Sequence, residues 1–128
     1  MQFPTGSCNC GAVSFTLAQA PTQATACHCS QCRKQSGHYF ASANVPKAAV
    51  EIAGEENLTW YQSSEKVRRG FCTRCGSWLF WEPILRDWTS VALGSLNGST
   101  NLKLERHIFV ANKGDYYTIG DGLPQNEN

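Results

Sequence analysis

A mainly β chain with little helix is the fold class this sequence predicts, on three observations. Short segments alternate apolar and polar residues, the two-residue period of a half-buried strand. Turn-forming clusters separate those segments. Seven cysteines fall into three tight groups whose spacing suits a metal rather than a helical core.

Residues 11–17 (GAVSFTL) show the alternation most cleanly and are predicted to form the first strand. Further strands are expected at 39–45, 50–52, 58–61, 67–72, 78–81, 90–93 and 107–110. Turns are expected at 53–57 (AGEEN), 62–64 (QSS), 97–99 (NGS) and 112–115 (NKGD). Two pieces have helical character: one turn around 30–35 and a short stretch near 101–105. No repeat or low-complexity linker breaks the chain, so residues 1–128 are expected to form one domain, with the polar tail 121–128 loose.

A chain of 128 residues suffices to bury roughly two-thirds of its unfolded surface. The longest apolar runs are four residues, at 78–81 and 108–111, far short of a membrane span. A formal charge of +1 gives no general attraction to nucleic acid or anionic membrane. Residues 1–6 carry neither the basic nor the apolar stretch of a secretion signal, and clustered thiols suit a reducing compartment. A cytoplasmic location is therefore expected.

The cysteine groups are Cys8-Asn9-Cys10, Cys27-His28-Cys29-Ser30-Gln31-Cys32 and Cys72-Thr73-Arg74-Cys75. An odd total excludes a fully paired disulfide framework, and a redox CxxC at Cys72 and Cys75 would leave five thiols unexplained. Seven divides as four plus three. Four thiolates close a structural zinc site, whereas three leave a position for water or substrate. Taking CxCxxC as self-contained leaves Cys8, Cys10, Cys72 and Cys75 as the closed set. In an extended segment Cys8 and Cys10 would present both sulfurs on one face. Gly11 and Gly76, each following a ligand, would let the backbone turn tightly there.

The order CxC-Gly, Cys27-His28-Cys29-Ser30-Gln31-Cys32-Arg33-Lys34-x-Ser36-Gly37, then Phe71-Cys72-x-x-Cys75-Gly76-Ser77 resembles the glutathione-dependent formaldehyde-activating enzyme family. His107-Ile108-Phe109-Val110, Lys113-Gly114-Asp115-Tyr116-Tyr117 and Asp121-Gly122-Leu123-Pro124-Gln125 extend that likeness over nearly all of the chain. The resemblance implies a zinc-stapled, β-tent-like fold of several small antiparallel sheets. It implies two zinc ions: a structural one on Cys8, Cys10, Cys72 and Cys75, and a catalytic one on Cys27, Cys29 and Cys32. It also implies a carbon–sulfur lyase activity that joins glutathione to formaldehyde as S-hydroxymethylglutathione.

That chemistry suits the donors. A free thiol with pKa near 8.5 is mostly protonated at neutral pH, and only its thiolate attacks. Three strongly donating thiolates favour thiol activation over carbonyl polarisation. The carboxylates of glutathione need cations, and Arg33 and Lys34 directly follow the last ligand of the open site. Lys66, Arg68, Arg69 and Arg74 form a second basic group. His28 and His38 are candidate proton donors, His107 is expected to be structural or superficial, and Tyr39, Phe40, Trp78, Phe80 and Trp81 to fill the core. The competing function is a non-catalytic zinc-stabilised module that binds a protein partner, and an enzyme acting on a different thiol adduct is a third reading. The intact open cluster favours an enzyme using a small thiol such as glutathione and an aldehyde.

Overall fold

Inward-facing Phe15 and Leu17 turn β2 (Ser14–Leu17) into the middle strand of a small sheet. β1 (Thr5–Ser7) and β5 (Val50–Ala53) flank it, both antiparallel. Gly6 lies opposite Phe15, where a Cβ would collide with the phenyl ring and the Ser95 carbonyl. The computed structural model describes residues 3–128, which form ten strands and one α-helix.

The second sheet has seven strands in the order β10-β3-β4-β9-β8-β7-β6. These are β3 (Thr22–Cys27), β4 (Phe40–Pro46), β6 (Leu58–Gln62), β7 (Val67–Cys72), β8 (Trp78–Pro83), β9 (Trp88–Ala92) and β10 (Arg106–Ile108). All its pairs are antiparallel except β10 with β3. One face carries Val45, Phe80 and Val91 against Phe15 and Leu17 of the small sheet and Val13 just before it. Phe15 meets Phe80 edge-on, with ring centroids 5.2 Å apart. The opposite face carries Cys27, Phe40, Asn44, Arg69, Trp81 and Ser90, and it is there that the candidate site forms.

Mainly β with little helix is what the structure has, although most strands join one long sheet rather than several small ones. Two strands escaped the sequence reading. β1 is Thr-Gly-Ser, and β3 packs only alanines, Ala24 and Ala26, toward the core. The helix expected at 101–105 does not form. Leu102 and Leu104 alternate with exposed neighbours, Asn101 is left-handed at φ 57°, and the Glu105 amide bonds the Ala24 carbonyl. The strand expected at 107–110 stops at Ile108, because Phe109 turns left-handed at φ 56°.

The tail expected to be loose is tied down. His107 in the edge strand β10 donates its backbone N–H to the Pro124 carbonyl and accepts the Asn126 N–H at its own carbonyl, both at 2.9 Å. Among the described residues no helix is long and apolar enough to cross a membrane.

Candidate active site and metal centres

Cys8 follows β1 and opens a turn rather than an extended run, closed by the Gly11 amide on the Cys8 carbonyl at 3.2 Å. The expected one-face presentation by strand geometry is thus replaced by a knuckle. A second knuckle joins β7 to β8: Gly76 donates to the Cys72 carbonyl at 2.8 Å. Gly11 and Gly76 both sit at φ 80°, a conformation glycine takes without a Cβ penalty. The two knuckles face each other, tied by the Asn9 amide on the Ser77 hydroxyl at 3.0 Å.

The four sulfurs of Cys8, Cys10, Cys72 and Cys75 lie within 4.8 Å of one another. Cys8 to Cys10 is 3.6 Å and Cys10 to Cys72 is 3.7 Å. Zinc–sulfur bonds of about 2.3 Å in a tetrahedron set sulfur–sulfur edges of about 3.8 Å, so the donors fit that ion. The Val13 amide donates to the Cys8 sulfur at 3.3 Å. The hydrogen bond from Ser77 pulls the Cys75 thiol down to about 5, favouring the thiolate a metal requires.

The second cluster is built where β3 passes into α1 (Ser30–Ser36). Cys27 is the last residue of β3, and Cys29 is the N-cap, its sulfur accepting the Cys32 amide at 3.3 Å. Cys32 lies on the buried side of the helix, which ends at Gly37. The three sulfurs also fall within 4.8 Å of one another, and among the described residues no histidine or carboxylate joins them. Hydrogen bonds from Cys27 and Cys32 pull Cys29 down to about 2, while the Cys29 sulfur pushes Cys27 up to about 11. Cys32 is raised by both of its neighbours. Crowding thus lets the trio hold one negative charge comfortably; three thiolates together require a cation. Both clusters could hold a metal ion.

Arg69, one of four cations in the second basic group, supplies part of that positive charge. It is 2% exposed, and its Nη1 donates to the Cys32 sulfur at 3.7 Å. Gln35 Oε1 at 3.1 Å, Gln31 Oε1 at 2.9 Å and the Ser63 hydroxyl at 3.0 Å accept its other bonds. Its guanidinium also lies over the Trp78 ring, 4.9 Å from the centroid, and Trp78 stacks on Phe40.

The three sulfurs open on a cavity of about 540 Å³. Its floor is the outer face of the long sheet, and α1 and the loop after β10 form its sides. Of the aromatics expected in the core, Phe40 and Trp81 line this cavity. Arg33 and Lys34 do not reach it. Successive helical residues rotate by about 100°, so the side chains after Cys32 leave the ligand face at once. Arg33 is half-buried with its charge felt at Tyr117, and Lys34 is exposed.

The histidines are turned away as well. His28 is 1% exposed and faces the other side of the chain from its cysteine neighbours. Its Nδ1 bonds the Tyr117 hydroxyl, and its Nε2 bonds His107 Nδ1 at 2.9 Å. His107 Nε2 then bonds Asp121 at 2.7 Å. Burial first, and the charge of His107 second, depress His28 to about 4. His38 bonds the Tyr116 hydroxyl at 2.7 Å. The three histidines anchor the end of the chain, and none lines the cavity.

A sequence profile described as glutathione-dependent formaldehyde-activating enzyme matches residues 3–112. A Schizosaccharomyces pombe protein named uncharacterized lyase C29B12.13 is 31% identical over 124 residues, covering 91% of this chain and 85% of that protein. The crystal structure of a Rhodobacter sphaeroides protein superposes with a TM-score of 0.63 at 27% identity, over 76% of this chain and 91% of that one. With both cysteine clusters assembled and this match along most of its length, the chain belongs to the glutathione-dependent formaldehyde-activating enzyme family.

Proposed function

We propose that this protein is a zinc-dependent carbon–sulfur lyase-type enzyme, working in the cytoplasm on the adduct of a thiol such as glutathione and an aldehyde such as formaldehyde. One observation carries the reading: three sulfurs, with no fourth protein donor among the described residues, open directly on a large cavity. In the synthetic direction the sulfur–carbon bond forms, the carbonyl π bond breaks, and the proton of the thiol finishes on the carbonyl oxygen. Cys27, Cys29 and Cys32 would hold one zinc, and Cys8, Cys10, Cys72 and Cys75 the other. Zinc at the three-cysteine cluster supplies a site that keeps a substrate sulfur ionised at neutral pH.

The chain's own part is positional. Arg69 offsets negative charge at Cys32 and, through Gln31 and Gln35, fixes the helix that carries it. Phe40, Trp81 and Trp88 wall the cavity and give it an apolar side.

X-ray absorption on protein carrying two zinc ions per chain tests the reading. Added glutathione should add one sulfur neighbour to the second zinc, about half a sulfur in the average over the two ions, and Cys29→Ser should remove that response while leaving the fold intact. A spectrum that ignores glutathione, with four protein ligands already on the second ion, would make the chain a zinc-stapled binding module instead.

A further inference from the structure

Glutathione carries two carboxylates and an ammonium group, and each needs a partner when it leaves water. The cavity beside Cys27, Cys29 and Cys32 offers few. Among the described residues that line it, Arg69 is the only cation, and there is no lysine, histidine or carboxylate. The donors of Arg69 already serve Ser63, Gln35, Gln31 and the Cys32 sulfur.

The polar floor is likewise turned inward. The Ser90 hydroxyl donates to Asn44 Oδ1 at 2.7 Å, and Asn44 Nδ2 donates to Gln23 Oε1 at 2.8 Å. The Thr25 hydroxyl donates to the Gln23 carbonyl at 3.0 Å. These groups satisfy one another, and the other polar residues of the lining, Ser30, Gln31, Ser42 and Asn112, carry no charge to pair with a charged guest.

The apolar lining has the opposite character. Trp81 and Trp88 stack with centroids 5.7 Å apart, both half-buried. Phe109 stands at the cavity with 39% of its surface exposed, in a left-handed backbone conformation that disfavours a non-glycine residue. An exposed phenyl ring held at that backbone cost is better explained by something that covers it. The surface is continuous with the sulfurs, so whatever sits there is attached to the group that the sulfurs receive.

We propose that the thiol or thiol adduct accepted here presents an uncharged aryl or branched alkyl group to this cavity, seated against Trp81, Trp88 and Phe109. The charged ends of glutathione do not enter it. This rests on the reading that the three-cysteine site receives a thiol, and it narrows the substrate class of that site. Nothing is oxidised or reduced: the same sulfur–carbon bond forms or breaks, whatever group the carbon bears.

Calorimetric titration of the zinc-loaded full chain with phenylmethanethiol, glutathione and 2-mercaptoethanol provides the test. Phenylmethanethiol should bind at least tenfold more tightly than glutathione. Trp88→Ala and Phe109→Ser should each shrink that ratio at least fivefold; Phe109 lies at the exposed mouth, so its variant serves should Trp88→Ala not fold. Glutathione binding as tightly as phenylmethanethiol, or a ratio unchanged in the folded variants, overturns the inference while leaving a thiol-binding site. If none of the three thiols gives heat or alters the zinc sulfur shell, the open-site reading falls too.

Discussion

Arg69 on β7 donates a hydrogen bond to the sulfur of Cys32 on α1, across 37 positions of sequence. Among the described residues no carboxylate pairs with this buried guanidinium. A buried cation without a carboxylate needs another source of negative charge, and the cysteine cluster provides it. The two features therefore stabilise each other: the cluster gives Arg69 its counter-charge, and Arg69 makes a crowded set of thiolates tolerable.

Replacing Arg69 should accordingly weaken the second metal site and spare the first. A hydrogen bond to a charged group is worth about 1.5–3 kcal/mol, or roughly 10- to 150-fold in affinity. Competition with a graded chelator should show Arg69→Met losing one of two zinc ions at correspondingly lower chelator. Arg69→Lys should fall between, since an ammonium keeps the charge but cannot reproduce the planar fork to Gln31, Gln35 and Ser63. An unchanged chelator midpoint in both variants would show that Arg69 does not support the cluster.

The other cluster should behave as a folding element. It joins the end of β1 to the β7–β8 turn, so it fastens the small sheet to the long one. Apparent binding free energies of structural zinc are about 10–16 kcal/mol in small zinc domains, as large as the whole stability of a typical domain. Cys72→Ser should give insoluble or unfolded protein, whereas Cys29→Ser should keep its circular dichroism and one zinc. A soluble, normally folded Cys72→Ser variant lacking the first zinc would refute the assignment.

How much of this was legible in the sequence depends on whether the information is local. Cysteine spacing is local, and once CxCxxC is taken as self-contained it gives both of the clusters that the structure assembles. Residues 11–17 and 78–81 announce themselves because large apolar side chains alternate or run together there, and strands form at Ser14–Leu17 and Trp78–Pro83. β3 does not, since its inward residues are alanines, whose burial depends on partners elsewhere. Arg69 was visible only as one of four nearby cations, because what distinguishes it is a helix that packs over it. Proximity in sequence favoured Arg33 and Lys34, and helical rotation carries both away from the ligand face. The tail looked loose because its side chains are polar; its attachment to β10 is made by backbone groups and by Asp121 on His107.

That attachment predicts a pH dependence. His28 is buried between Tyr117 and His107, and desolvation holds its pKa near 4 against 6.5 for the free side chain. Between those values the unfolded chain binds a proton at this position that the folded chain refuses. Stability is therefore fully retained above about 6.5, declines as pH falls, and has lost this contribution near 4. Asp121 acts in a lower window, because the His107 hydrogen bond depresses its carboxyl below the ordinary 3.8. Imidazole resonances followed by NMR in zinc-loaded protein should show His28 neutral at pH 5. In the same range His28→Asn should show a flatter decline of melting temperature than the wild type, from a lower value at pH 7, since the Tyr117–His28–His107 chain is broken. The comparison is made at equal zinc content, so that protonation of the cysteine ligands is not mistaken for that of His28. A His28 midpoint near 6.5 would mean that the ring reaches water, and that the buried histidine chain does not hold the end of the protein in place.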